Sequence, residues 1–144
     1  MPTELIVIAG ARPNFMKVAP LLKILATDKS FSTCLVHTGQ HFDDVMSGRF
    51  FRELNIPEPQ FHLGAGGGSH SQQTAEIMKR LEPVVEQQKP QGMVVVGDVN
   101  STVAGALVAK KMDVTLIHVL LQQDDAARAI GPRRAPGAWA RSTS

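Results

Sequence analysis

The segment Gly97-Asp98-Val99-Asn100-Ser101-Thr102 sets a carboxylate two residues beyond the apolar run Met93–Val96 and follows it with a carboxamide and two hydroxyls. A carboxylate just past a buried strand lies where partial burial can tune it for proton transfer. An aspartate there can equally cap the helix that follows, which is the commoner role. A second segment, Gly10-Ala11-Arg12-Pro13, closes the apolar run Leu5–Ala9. Its glycine permits a sharp turn, and Arg12 at a helix start suits an anion such as a diphosphate. Without further glycines the segment is not a dinucleotide fingerprint, and a plain turn with a solvated arginine accounts for it as well. A third segment, Gly64-Ala65-Gly66-Gly67-Gly68-Ser69-His70, has backbone amides that could cradle a phosphate or form a loop that closes on a ligand. It lacks the Lys-Ser/Thr pair of a nucleoside-triphosphatase loop, and Ser69 or Ser71 can simply cap a helix. The histidines His37, His41, His70 and His118 follow no zinc spacing, and with Cys34 as the lone cysteine no metal site is expected.

These segments need elements to hold them. Leu5–Ala9, Thr33–Thr38, Gln60–Leu63, Met93–Val96 and Val114–His118 are short apolar runs with strand character. Between them, residues 13–26, 43–54, 71–88 and 101–111 carry apolar side chains at helical spacing. In the first helix these are Met16, Val18, Ala19, Leu21, Leu22 and Leu25, with Pro20 expected to kink it, as Pro83 does the third. Strict alternation of strand and helix predicts an α/β fold of three layers, a parallel sheet covered on both faces. Ligands of such sheets bind at the carboxyl ends of the strands. Gly10–Arg12, His37–His41, Gly64–His70 and Gly97–Asp98 all follow strands directly, so four polar or glycine-rich segments should share one rim.

At 144 residues the chain suffices for one domain, and its 43% hydrophobic and 19% charged residues are those of an ordinary globular protein. A formal charge of +2 gives no case for nucleic acid, and Arg128, Arg133, Arg134 and Arg141 concentrate the cations near the end. Cys34 lies in an apolar run, as expected of a buried thiol in a reducing compartment. No run has the length of a membrane span, and the start Met1-Pro2-Thr3-Glu4 lacks the basic region of a signal peptide, so a cytoplasmic protein is expected. From Ala126 to Ser144 the chain is mostly Ala, Arg, Gly, Pro and Ser with a single Trp139. Such a composition predicts a disordered tail.

Six segments occur in order: Gly10-x-Arg12-Pro13, Ala19-Pro20-Leu21, Thr38-Gly39-Gln40-His41, Gly68-Ser69-His70-x-x-Gln73-Thr74, Gly97 to Thr102, and His118-Val119. Together they resemble the N-terminal domain of the non-hydrolysing UDP-N-acetylglucosamine 2-epimerases, over about residues 4–119. The resemblance implies a Rossmann-like domain, residues 1–119, that is one half of the two-domain, GT-B-like architecture of nucleotide-sugar enzymes. It implies a UDP-sugar bound between the halves, interconversion of UDP-GlcNAc and UDP-ManNAc by elimination and re-addition of UDP, and no cofactor. It further implies homodimers of full-length members and a place in cell-envelope polysaccharide biosynthesis. By the same resemblance Asp98 is a catalytic carboxylate, and Arg12, His70 and Gln73 lie at the substrate. Gln40 and His41 match a regulatory UDP-GlcNAc site.

After Val119 the chain departs from the family pattern. The family continues Glu-Ala-Gly-Leu-Arg, whose glutamate is a catalytic carboxylate, whereas this chain reads Leu120-Leu121-Gln122-Gln123. Residues 120–144 are therefore expected to form a divergent tail, and the chain an inactive piece of the enzyme. A module that only binds nucleotide-sugar, or pairs with a full-length homologue, is the alternative.

Overall fold

The computed structural model describes residues 2–39 and 48–120. The first strand, β1 (Thr3–Ala9), is buried throughout Leu5–Ala9, the pattern of a strand covered on both faces. Arg12–Thr27 forms α1, Phe31–His37 β2, Gly48–Leu54 α2 and Phe61–His62 β3. Then follow α3 (His70–Gln88), β4 (Gly92–Val96), α4 (Asn100–Lys111) and β5 (Thr115–Val119).

The five strands of the described residues are all parallel, in the order β3-β2-β1-β4-β5. The chain lays strands outward from β1 to β3, then returns to place β4 on the other side of β1. The direction of winding reverses between β1 and β4, and loops leaving these neighbours diverge to opposite faces and open a crevice. Register fixes which side chains meet: Val7 pairs with Leu35 on one side and Val94 on the other.

Alternation along the strands divides the core in two. Leu5, Val7, Ala9, Leu35, Val94 and Val96 face α1 and α2, packing on Phe15, Val18, Leu22, Phe50 and Phe51. Ile6, Ile8, Val36, Met93 and Val95 face α3 and α4, against Ile77, Leu81, Val84 and Val108. Each fully buried aliphatic side chain of this kind contributes roughly 1.5–3 kcal/mol of burial. Gly105 lets α4 lie close on the sheet, because a Cβ there would stand 2.8 Å from both Ile8 Cδ1 and Val95 Cγ1.

The three-layer parallel fold expected from the alternation is what forms. Pro20 and Pro83 lie inside α1 and α3, where each removes one backbone hydrogen bond while the buried faces on either side hold the helix to the sheet. Some details differ. Met16, expected on the buried stripe, is 51% exposed, and the buried position one residue earlier belongs to Phe15. β5 is an edge strand, which explains why Leu116 and Ile117 are each 40% exposed despite their apolar types. Cys34 is buried, as expected. Among the described residues no helix is long and apolar enough to cross a membrane. Gln40, His41, the start expected for the second helix at Asp43, and the segment from Ala126 lie outside the described residues.

Candidate functional site

The crevice between the carboxyl ends of β1 and β4 holds a cavity of about 490 Å³. Gly10, Ala11, Pro13 and Asn14 line it from the β1–α1 turn, and Asp98, Val99, Asn100 and Ser101 from the β4–α4 turn. Thr38, Gly39, His70, Gln73 and Ile77 complete the wall.

Two helices begin at this cavity without a side-chain cap. The residue before α1 is Ala11, and the residue before α4 is Val99; neither side chain can accept a hydrogen bond. In α1, Pro13 has no N–H and the Asn14 amide turns back to the Ala11 carbonyl at 3.0 Å, so this start offers the positive end of its dipole more than free donors. In α4 the Asn100 and Ser101 amides precede the first internal bond, from Thr102 to the Val99 carbonyl at 2.9 Å, and are left to solvent or to an anion. The α3 start is different, because it is capped from within. Ser69 Oγ accepts from the Gln72 amide at 3.1 Å, and Gln72 Oε1 accepts from the Ser69 amide at 2.9 Å.

The turns are held by hydrogen bonds converging on the end of β4. Asn14, only 6% exposed, accepts from the Gly10 amide through Oδ1 at 2.8 Å and donates through Nδ2 to the Val96 carbonyl at 3.0 Å. Thr102 Oγ1 donates to the same carbonyl at 2.9 Å and accepts from the Val99 amide at 3.2 Å. Gly97, at φ +81°, makes the reversal that a side chain would strain, and His118 Nε2 donates to its carbonyl at 2.7 Å. Gly10 keeps the two turns close: a Cβ there would meet Ser101 Oγ at 3.0 Å.

Asp98 stands exposed at the mouth, two residues before the start of α4 and one before the cap position at Val99, so its carboxylate is not the cap. Two residues on, Asn100 Nδ2 donates to His70 Nδ1 at 3.0 Å and to Gln73 Oε1 at 2.6 Å, tying the β4–α4 turn to the first turn of α3.

Of the residues singled out in the sequence, Asp98, His70 and Gln73 all line the cavity. Arg12 opens α1 on the same rim, since β1 and β4 are parallel neighbours. Gln40 and His41 lie outside the described residues. The glycine-rich segment behaves differently from a phosphate cradle: none of Gly64 to Gly68 lines the cavity, and Arg80 Nη1 instead clamps the carbonyls of Leu63 and Gly64 at 2.7 and 2.9 Å. Among the described residues no three His, Cys, Asp or Glu side chains gather as a metal set would. Asn14 was missed in the sequence. Its signal was a short carboxamide in the first turn of a helix opening at a strand, able to reach two backbones at once.

The sequence profile described as UDP-N-acetylglucosamine 2-epimerase matches residues 23–120. A UDP-N-acetylglucosamine 2-epimerase homolog of Methanococcus maripaludis is 43% identical over 116 residues, 81% of this chain and 32% of its own length. The UDP-2,3-diacetamido-2,3-dideoxy-D-glucuronate 2-epimerase of Pseudomonas aeruginosa is 42% identical over 116 residues, 81% of this chain and 33% of its own length. Among solved structures, the Methanocaldococcus jannaschii UDP-GlcNAc 2-epimerase in complex with UDP-GlcNAc and UDP superposes with a TM-score of 0.74 at 38% identity, covering 81% of this chain and 32% of that one. The chain thus spans about a third of the length of these relatives. A profile match over most of the chain, carried on a sheet and switch-point cavity of this kind, leaves one conclusion: the chain belongs to the UDP-N-acetylglucosamine 2-epimerase family.

Proposed function

We propose that this chain is the N-terminal, UDP-sugar-binding half of a UDP-N-acetylglucosamine 2-epimerase. The observation that carries the reading is the meeting of two uncapped helix starts and the Asp98 carboxylate at one cavity. The Asn100 and Ser101 amides at the start of α4, with the positive dipole end of α1 and Arg12, supply the positive potential that a diphosphate needs. Asp98 is the group placed to move a proton, and His70 and Gln73 contact the ligand from α3. Gln40 and His41 are assigned to the regulatory UDP-GlcNAc site.

In the proposed reaction a base removes the C2 proton while the C1–oxygen bond to UDP breaks, leaving 2-acetamidoglucal and UDP. UDP then re-adds at C1 as a proton arrives on the opposite face of C2, giving UDP-ManNAc. The electron pair stays within the sugar and its leaving group, so no redox partner enters. A second carboxylate is needed to complete the proton traffic, and the family position for it is Leu120 here. Losing one acid–base group costs about 10²–10⁴ in rate. The chain by itself is therefore proposed to bind without turning over, and residues 120–144 to form a divergent tail outside the binding domain. An intact cavity beside a missing acid also favours the second reading, a module that captures nucleotide-sugar or pairs with a full-length homologue.

Titration of the full chain with UDP, followed by amide chemical shifts, tests this directly. Saturable shifts at Gly10, Asn100 and Ser101 are expected, and an anomeric-proton assay should show no UDP-ManNAc. Absence of any saturable response to UDP or UDP-GlcNAc would overturn the reading. Formation of UDP-ManNAc above a buffer control would overturn the inactive state of the isolated chain alone.

A further inference from the structure

Asn100 takes no part in capping its own helix; its carboxamide instead spans to α3, and both of its N–H bonds end on side chains of the cavity wall. A carboxamide nitrogen has two protons and no lone pair to accept with, so His70 Nδ1, at 3.0 Å, must present its lone pair. The neutral imidazole then carries its single proton on Nε2. Gln73 constrains the sense of the contact, since the two carboxamides must turn together or not at all. Its Oε1 accepts the second Nδ2 proton at 2.6 Å, so turning the Asn100 amide over would set oxygen against oxygen unless Gln73 also turned.

We infer that Asn100 is a positioning residue that holds His70 in the Nε2–H tautomer, making it a hydrogen-bond donor to a phosphate oxygen of the ligand at this cavity. The inference rests on the UDP-binding reading above and names which atom of His70 serves it. His70 is exposed and lies in the first turn of α3, where the ring would otherwise be free to rotate and to exchange tautomers. Binding one ring nitrogen removes that freedom, so less is lost when the ligand arrives. The bond also links the β4–α4 turn, which carries Asp98, to the first turn of α3, so Asp98 and His70 are held at one opening.

The test uses the full chain labelled with ¹⁵N in its histidines, together with Asn100→Asp, Asn100→Ala, His70→Ala and the double variant Asn100→Ala/His70→Ala. At pH 8 the ring of His70 in the unsubstituted protein should show an unprotonated Nδ1 and a protonated Nε2. In Asn100→Asp a carboxylate replaces the donor, and the proton should move to Nδ1. Loss of a donor to a charged oxygen corresponds to roughly tenfold or more in UDP affinity. His70→Ala removes the donor and should weaken UDP by that factor, whereas Asn100→Ala only releases the ring and should weaken UDP a few-fold in the native background and leave it unchanged in the His70→Ala background, because Asn100 acts through His70. Equal losses in both backgrounds, or a proton on Nδ1 of the unsubstituted protein, would overturn the inference while leaving the UDP site in place. If UDP fails to bind at all, the functional reading falls and with it the role assigned to Nε2–H, while the nitrogen shifts still decide whether Asn100 sets the tautomer.

Discussion

Asn14 donates to the carbonyl of Val96 across 82 positions of sequence, at 3.0 Å, and so fastens the start of α1 to the end of β4. The bond crosses the point where the sheet reverses its winding, and with Thr102 on the same carbonyl it sets the width of the crevice.

Asn14→Ala should destabilise the chain by about 1–3 kcal/mol, because it strips the buried Gly10 amide of its acceptor. Urea unfolding followed by circular dichroism measures this. A midpoint equal to that of the unsubstituted protein would show that water or a backbone shift replaces Asn14 without cost.

Gly97 sits at φ +81° with no atom near enough to touch an added Cβ. Gly97→Ala therefore isolates backbone strain from crowding, and a cost of about 1–2 kcal/mol is expected. UDP titration of the same variant should be weaker, since the strained turn carries Asp98 and the start of α4. An unchanged urea midpoint would count against the conformational account.

Asp98 places a negative charge at the mouth of a site proposed to take a diphosphate. If its work is proton transfer, Asp98→Asn should leave UDP affinity equal or raise it a few-fold, as like-charge repulsion is removed. Calorimetric titration distinguishes this from a binding role, for which affinity would fall tenfold or more.

Burial pushes the Cys34 thiol up from 9.0 to about 11, with Glu4 adding to the effect. The folded state disfavours the thiolate, so the unfolded chain releases its proton first. Stability from this source is full below pH 9 and declines as pH rises from 9 toward about 11. Unfolding free energies at pH 8 and pH 10 should fall more in the native chain than in Cys34→Ala, and iodoacetamide should react slowly at pH 8. Parallel declines in the two proteins would refute the assignment.

The alternation of apolar runs and helical stripes determined by itself that this would be a parallel α/β sheet, because burial on both strand faces leaves that pattern in local composition. It also led to the expectation of Arg12, Gln40, His41, His70 and Asp98 on one rim, since in such a fold every strand-to-helix loop leaves by the same edge. Of these, His70 and Asp98 line one cavity, while Gln40 and His41 lie outside the described residues. Two things were settled only in three dimensions. The strand order β3-β2-β1-β4-β5 made β1 and β4 neighbours and opened the cavity between them, and this depends on long-range packing with no local signature. The duties of Asn14 and Asn100 likewise came from contacts 82, 30 and 27 residues away. A carboxamide has no sequence pattern that names its partner. Hydrogen bonds are directional and short, so only the folded positions of Val96, His70 and Gln73 decide where those amides point.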